Sequence, residues 1–127
     1  MKNATWSGRF KKSLDKEVLE FSESISIDHL LFDSDIKVCI AHAQMLCECK
    51  IITRSESNKI CKGLQKIQKK YHDGKLSLSI NLEDIHMNIE QALTKELGDL
   101  GKKIHMGRSR NDLVSTDLRL YLLDCLD

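Results

Sequence analysis

The chain has 127 residues, of which 41% are hydrophobic and 31% charged, and its net charge is +1. That size supports one domain with a modest core, and the composition argues against disorder. The near-neutral balance offers no field for nucleic acid. No apolar run approaches the ~20 residues of a membrane span, and the N-terminus lacks an apolar signal core, so a cytoplasmic location is expected.

Taken in chain order, residues 1–12 are polar and irregular, with Trp6 and Phe10 as aromatic anchors, and read as an extended arm. Val18, Leu19 and Phe21 among charges suggest a short helix over residues 15–22. Residues 22–28 (Ser22-Glu23-Ser24-Ile25-Ser26-Ile27-Asp28) alternate polar and apolar, a strand or loop pattern. Over residues 29–50, Ile36, Cys39, Ile40, Ala43, Leu46 and Cys47 recur at three- and four-residue spacing, the signature of a helix with one buried face. Thr53-Arg54-Ser55-Glu56 has the form of a capping box, in which side chain and backbone at the helix start satisfy each other. The helix it opens carries Ile60, Leu64, Ile67 and Tyr71 as its stripe and ends at His72-Asp73-Gly74. Lys66, Lys69 and Lys70 on it read as a solvated face.

Residues 75–82 alternate without an obvious partner strand and are expected to be an extended connector. A third helix starts near Leu82-Glu83-Asp84, whose acids suit the positive end of the helix dipole. Ile85, Ile89, Leu93 and Leu97 mark its buried face, and Gly98 and Gly101 end it. The last stretch, from Leu113 on, carries Leu118, Leu120, Tyr121, Leu122, Leu123 and Leu126 on more than one face, which predicts a buried helix. It has no closing glycine, so the chain is expected to be a fragment, or its last helix to pack into an oligomer. The shift in composition between Gly98 and Gly107 divides residues 1–106 from residues 107–127. The absence of proline suits a mainly α fold. Five cysteines, an odd number without C-x-x-C spacing, read as reduced thiols, so neither disulfides nor a metal is expected.

Four places hold groups that can bind a ligand. The serines of residues 22–28 could bind a carboxylate or a guanidinium, though local grounds favour a turn or cap. In Glu83-Asp84-Ile85-His86-Met87-Asn88-Ile89-Glu90, His86 and Glu90 lie one helical turn apart, so the carboxylate can orient the imidazole; the alternative is an exposed polar face. In Gly107-Arg108-Ser109-Arg110-Asn111-Asp112, the arginines offer planar forks for a carboxylate. Ser109 and Asn111 add neutral donors, and a helix starting nearby adds free N–H groups. Capping by Ser109 or Asn111 is compatible with that role. His105 is the fourth candidate, and nothing local decides its part.

The pair of motifs His86-Met87-Asn88-Ile89-Glu90 and Gly107-Arg108-Ser109-Arg110-Asn111-Asp112, followed by Thr116-Asp117-Leu118-Arg119-Leu120, resembles argininosuccinate lyases of the fumarase/aspartase superfamily. Trp6-Ser7-Gly8-Arg9-Phe10 and Ser24-Ile25-Ser26-Ile27-Asp28 resemble two further segments of that family, so the likeness runs through the whole chain in order. It implies an N-terminal helical domain plus the start of a long central-bundle helix, homotetramers, no cofactor, and cleavage of argininosuccinate to arginine and fumarate in arginine biosynthesis. By the same resemblance Ser24 and Asn111 bind substrate, Arg110 clamps a carboxylate, and Arg108 and Ser109 support that loop. His86 then lines the site in a supporting part, while the family's main proton-transfer residues belong to later segments. Met106 and Leu113 stand where the family has threonine and glutamine, which removes a hydroxyl at the site's edge. Two other readings fit the same residues: a superfamily relative without activity, and a small helical module that holds carboxylates without chemistry.

Overall fold

The computed structural model describes residues 15–127, so the arm with Trp6 and Phe10 lies outside the described residues. Among the described residues there are seven α-helices and no strand: α1 (Lys16–Ser22), α2 (Ile25–Asp28), α3 (Phe32–Glu48), α4 (Arg54–His72), α5 (Ile85–Leu97), α6 (Asp99–Lys102) and α7 (Arg110–Leu126). The mainly α expectation is met.

The strand or loop reading of residues 22–28 is overturned by α2. The Ser24 carbonyl accepts the N–H groups of Ile27 and Asp28 at 2.9 and 2.8 Å, and the Glu23 carboxylate accepts the Ser26 N–H at 3.0 Å. Local caps outweigh an alternation only a few residues long. A 3-10 turn (His29–Leu31) then leads into α3, which spans residues 32–48 rather than 29–50. The predicted face of α3 holds: Ile36, Cys39, Ala43 and Leu46 are buried, with Ile40 and Cys47 at its margin.

The capping box of α4 forms as expected. The Thr53 hydroxyl accepts the Glu56 N–H at 3.2 Å, and the Glu56 carboxylate accepts the Thr53 N–H at 2.8 Å. Ile60, Leu64 and Ile67 face the core, and Tyr71 stacks on Phe32 with ring centroids 3.8 Å apart. Gly74, at φ 69°, reverses the chain in the left-handed region that favours glycine. The connector, expected to be extended over residues 75–82, has no regular secondary structure over residues 75–79 and closes in a 3-10 turn (Ile80–Leu82).

Helix α5 starts after Asp84, whose carboxylate accepts the Met87 N–H at 2.7 Å. It packs Ile85, Ile89 and Leu93 against α3 and α4. Gly98 ends it, but Gly101 lies inside α6 rather than at the stop. A Cβ at Gly101 would lie 2.8 Å from the Leu93 carbonyl oxygen, so only glycine lets α6 fold back this closely. Removing the core side chains of α3, α4 and α5 from water contributes on the order of 1.5–3 kcal/mol each.

Helix α7 departs most from expectation. Within it only Leu113 and Asp117 are buried, while Leu118, Leu122, Leu123 and Leu126 are exposed. One side of α7 rests on α3 and the 3-10 turn at residues 29–31, and among the described residues nothing covers its far side.

Candidate functional site

The candidate residues gather where the N-termini of α5 and α7 meet α2 and α3. The backbone at Glu83 takes φ 70°, a conformation side-chain-bearing residues rarely adopt. In that geometry its carbonyl accepts the N–H groups of Ser24 and Ile25 at 2.8 and 3.1 Å. The Ser24 hydroxyl donates to Asp28 at 2.7 Å, and Asp28 accepts the Ile85 N–H at 3.1 Å. Ser24 is thereby fastened to the first turn of α5, one residue before His86. Burial raises the Asp28 carboxyl above its ordinary range, against the lowering pull of the Ser24 hydrogen bond and of nearby His86.

His86 is 4% exposed, which excludes the exposed polar face weighed above. Its partner is not Glu90, as the helical spacing suggested. His86 Nδ1 is hydrogen-bonded to Asp35 of α3 and lies 3.4 Å from Asp117 of α7. Glu90 instead bonds His105 Nε2 at 2.7 Å, which gives His105 a defined place beside the site. The one-turn geometry is sound, but long-range partners took both groups. Asn88 is buried and bonds the Ser79 backbone and the Asp84 carbonyl, so it fixes the connector rather than facing His86.

Ser109 is the N-cap of α7, and its N–H donates to the Asp112 carboxylate at 3.3 Å. This is the capping expected of Ser109. Arg110 occupies the first position of α7, with Nε 3.8 Å from Asp84 at the start of α5. Asn111 follows it and is exposed. The two helix N-termini are thus joined through Arg110, and at α5 the Ile85 and Met87 N–H groups are already taken by the Asp28 and Asp84 carboxylates. Arg108 points inward: its Nη2 donates to the Cys39 sulfur at 3.2 Å, and its Nε and Nη1 are buried without a hydrogen-bond partner. The segment before the motif is anchored by His42, whose Nε2 lies 2.7 Å from the Met106 carbonyl oxygen, and the Met106 side chain is exposed.

Two buried acids, Asp35 and Asp117, escaped the sequence reading. Asp35 accepts the Cys39 thiol at 3.0 Å as well as His86. Burial pushes the Cys39 thiol well above its ordinary range, reinforced by the charge of Asp35, so Cys39 is no nucleophile at neutral pH. Asp117 is fully buried, and burial, followed by the charge of Asp35, pushes its carboxyl up to about 8. An acid inside a leucine-rich helix, and another beside the apolar face of α3, were the available signals. Asp35, His86 and Asp117 are the group among the described residues whose ligand-type atoms all lie within 4.8 Å of one another. The direct bond between His86 Nδ1 and Asp35 is a proton-mediated contact, not two ligands on either side of an ion. A narrow cleft lined by Asp35, Cys39, His86, Glu90, His105, Arg108 and Arg110 runs beside them, with room for roughly one water molecule. On the outer side Ser24 and Asn111 are exposed and Arg110 is half-buried.

Residues 8–127 match a family model described as lyase. An argininosuccinate lyase of Staphylococcus carnosus (strain TM300) is 54% identical over 121 residues, covering 95% of this chain and 26% of that relative. One from Nitrosococcus oceani is 50% identical over 122 residues, covering 96% and 26%. One from Legionella pneumophila (strain Philadelphia 1) is 47% identical over 142 aligned positions, covering 100% and 34%. The chain thus spans about a quarter to a third of the length of these curated relatives. With the all-helical fold and both motifs seated at one junction, the chain belongs to the lyase family of the fumarase/aspartase superfamily and is similar to a portion of the argininosuccinate lyases.

Proposed function

We propose that this chain is the carboxylate-gripping part of an argininosuccinate lyase site and does not eliminate fumarate by itself. The observation that carries this reading is the convergence of Ser24, the first turn of α5 and Arg110-Asn111 at one junction of helix N-termini. The reaction removes a proton beside a carboxylate and builds charge on that carboxylate. The positive end of α7 and an arginine fork, held before the substrate arrives, stabilise that charge. Arg110 is the clamp, and Ser24 and Asn111 are neutral donors at its side. Arg108 holds the loop from within, and Ser109 holds it at the N-cap of α7. His86, locked to Asp35, organises charge beneath the site. The domain division at residues 106 and 107, the homotetramer, the cytoplasmic location and the place in arginine biosynthesis belong to the same proposal.

Two measurements test it. The purified chain, given argininosuccinate, is expected to release no fumarate above blank; release well above blank overturns the claim of inactivity. A chimera with residues 8–127 in place of the matched segment of the Staphylococcus carnosus relative is expected to release fumarate. Its Arg110→Ala version should lose at least a hundredfold in kcat/KM, in line with about 3 kcal/mol for a charge-assisted clamp. A well-folded, inactive chimera overturns the site assignment.

A further inference from the structure

Every buried side-chain nitrogen or oxygen without a hydrogen-bond partner, among the described residues, belongs to Arg108, Arg110 or Asp117. Three helices converge there. Helix α3 presents Asp35 and Cys39, α5 presents His86 and Glu90, and α7 presents Asp117 and Arg110. Arg108 and His105 come from the segment between α6 and α7. On the outer side, Asp28 of α2 lies within the field of His86, while the His29 ring at the turn under α7 is engaged with the Ile25 carbonyl.

Neither oxygen of Asp117 accepts an N–H or O–H bond, yet Asp117 lies against the carboxylate of Asp35, with side chains 0% and 1% exposed. His86 Nδ1 is already engaged with Asp35, and Arg108 sends its Nη2 to Cys39. Two acceptors that meet in a buried site repel unless one carries a proton, and two such carboxylates do not both ionise. The arginines sit close enough for their charge to act on Asp117, but they form no hydrogen bond to it.

We propose that Asp117 is a positioning residue: it is held as a neutral carboxylic acid that donates to Asp35, and this shared proton sets the seating of the Arg108–Arg110 segment. With the proton in place, Asp35 keeps one negative charge for His86, and the guanidinium groups are left facing the cleft and the outer surface. When the proton leaves, Asp117 becomes a second buried anion that repels Asp35 and draws Arg108 and Arg110 inward. The inference does not depend on the identity of the substrate.

The test uses the full 127-residue chain labelled with carbon-13. The Asp117 carboxyl resonance is expected to titrate with a midpoint near 8, and a midpoint below 5 overturns the proposal. The arginine Cζ resonances of Arg108 and Arg110 should move with that same midpoint; if they stay still through it, the positioning role is wrong. Stability supplies an independent readout. The folded-state value is raised, so the native chain holds a proton that the unfolded chain has lost, and stability falls as pH rises between about 4 and 8. Over that window the folded-to-unfolded ratio drops by up to about tenfold per pH unit. Asp117→Asn keeps a neutral donor of the same shape, so it should remove that slope and fix the arginine resonances at their low-pH positions. A slope unchanged in Asp117→Asn overturns the proposal. Should that variant fail to fold, Asp35→Asn decides: its amide can donate to Asp117, so the Asp117 midpoint should fall by more than one unit, and no fall overturns it.

Discussion

The two ends of α7 obey opposite burial rules. In its first half an aspartate is 0% exposed and is flanked by buried Arg108 atoms and His86. In its second half Leu122, Leu123 and Leu126 are 50%, 58% and 83% exposed. One helix thus hides an acid at one end and shows hydrocarbon at the other. The first half is closed, because Asp35, His86 and Asp117 meet there in one buried cluster, beside three arginine nitrogens that lack a hydrogen-bond partner. The second half is energetically open, since its leucines gain little by being on this surface. Burial in this chain follows from which neighbours the fold supplies, and residue type alone is a poor guide to it.

The strongest way to break the comparison is to remove a member of the closed half. Asp35→Ala leaves His86, the Cys39 thiol and Asp117 without their common partner, and should cost about 3 kcal/mol in denaturant unfolding followed by circular dichroism. A cost below about 1 kcal/mol would show that the cluster is not a coupled unit. The next contrast stays on α7 itself. Leu113→Ala, at a 2% exposed position, should cost about 2–3 kcal/mol, while Leu126→Gln should fall within about 0.5 kcal/mol of the parent. Equal effects at the two positions would erase the distinction.

The smallest effect comes from a solvated ion pair, which contrasts with the buried one. Lys66 and Lys70 both reach Glu96, and their hydrogen bonds hold its carboxyl at about 2 against an ordinary 4.5. The folded value is lowered, so the contribution is present above about 4.5 and lost as pH falls toward 2. Glu96→Gln should flatten the acid limb of the melting-temperature profile slightly, and added salt should shrink the difference further. A difference that salt leaves untouched would mean the pair behaves as a buried one.

The long helices were legible because their instructions are local: the stripe of α3, the Thr53 capping box and the Asp84 start of α5 all act within one or two turns. Residues 22–28 were misread because a four-residue helix has no period to detect, and its caps resemble alternation. The start of α7 was legible as a capped helix, because Ser109 and Asp112 act within one turn. The acid cluster was not legible. Asp35 and His86 are 51 residues apart in sequence, and His86 had a plausible but unused partner in Glu90. Burial of an aspartate is a tertiary outcome that no local pattern encodes. The exposure of α7 was misjudged for the same reason, because an apolar helix predicts a partner without saying that the chain provides one.

The backbone at Glu83 has a consequence for how the site opens and closes as a unit. One carbonyl, turned outward by a positive φ, receives both amides at the start of α2, and Asp28 at the end of α2 returns a bond to the start of α5. These links form a closed loop of bonds, so none can break alone without straining the others. The amides of Ser24, Ile25 and Ile85 should therefore exchange with deuterium at a common rate, as one cooperative opening, although they lie some sixty residues apart.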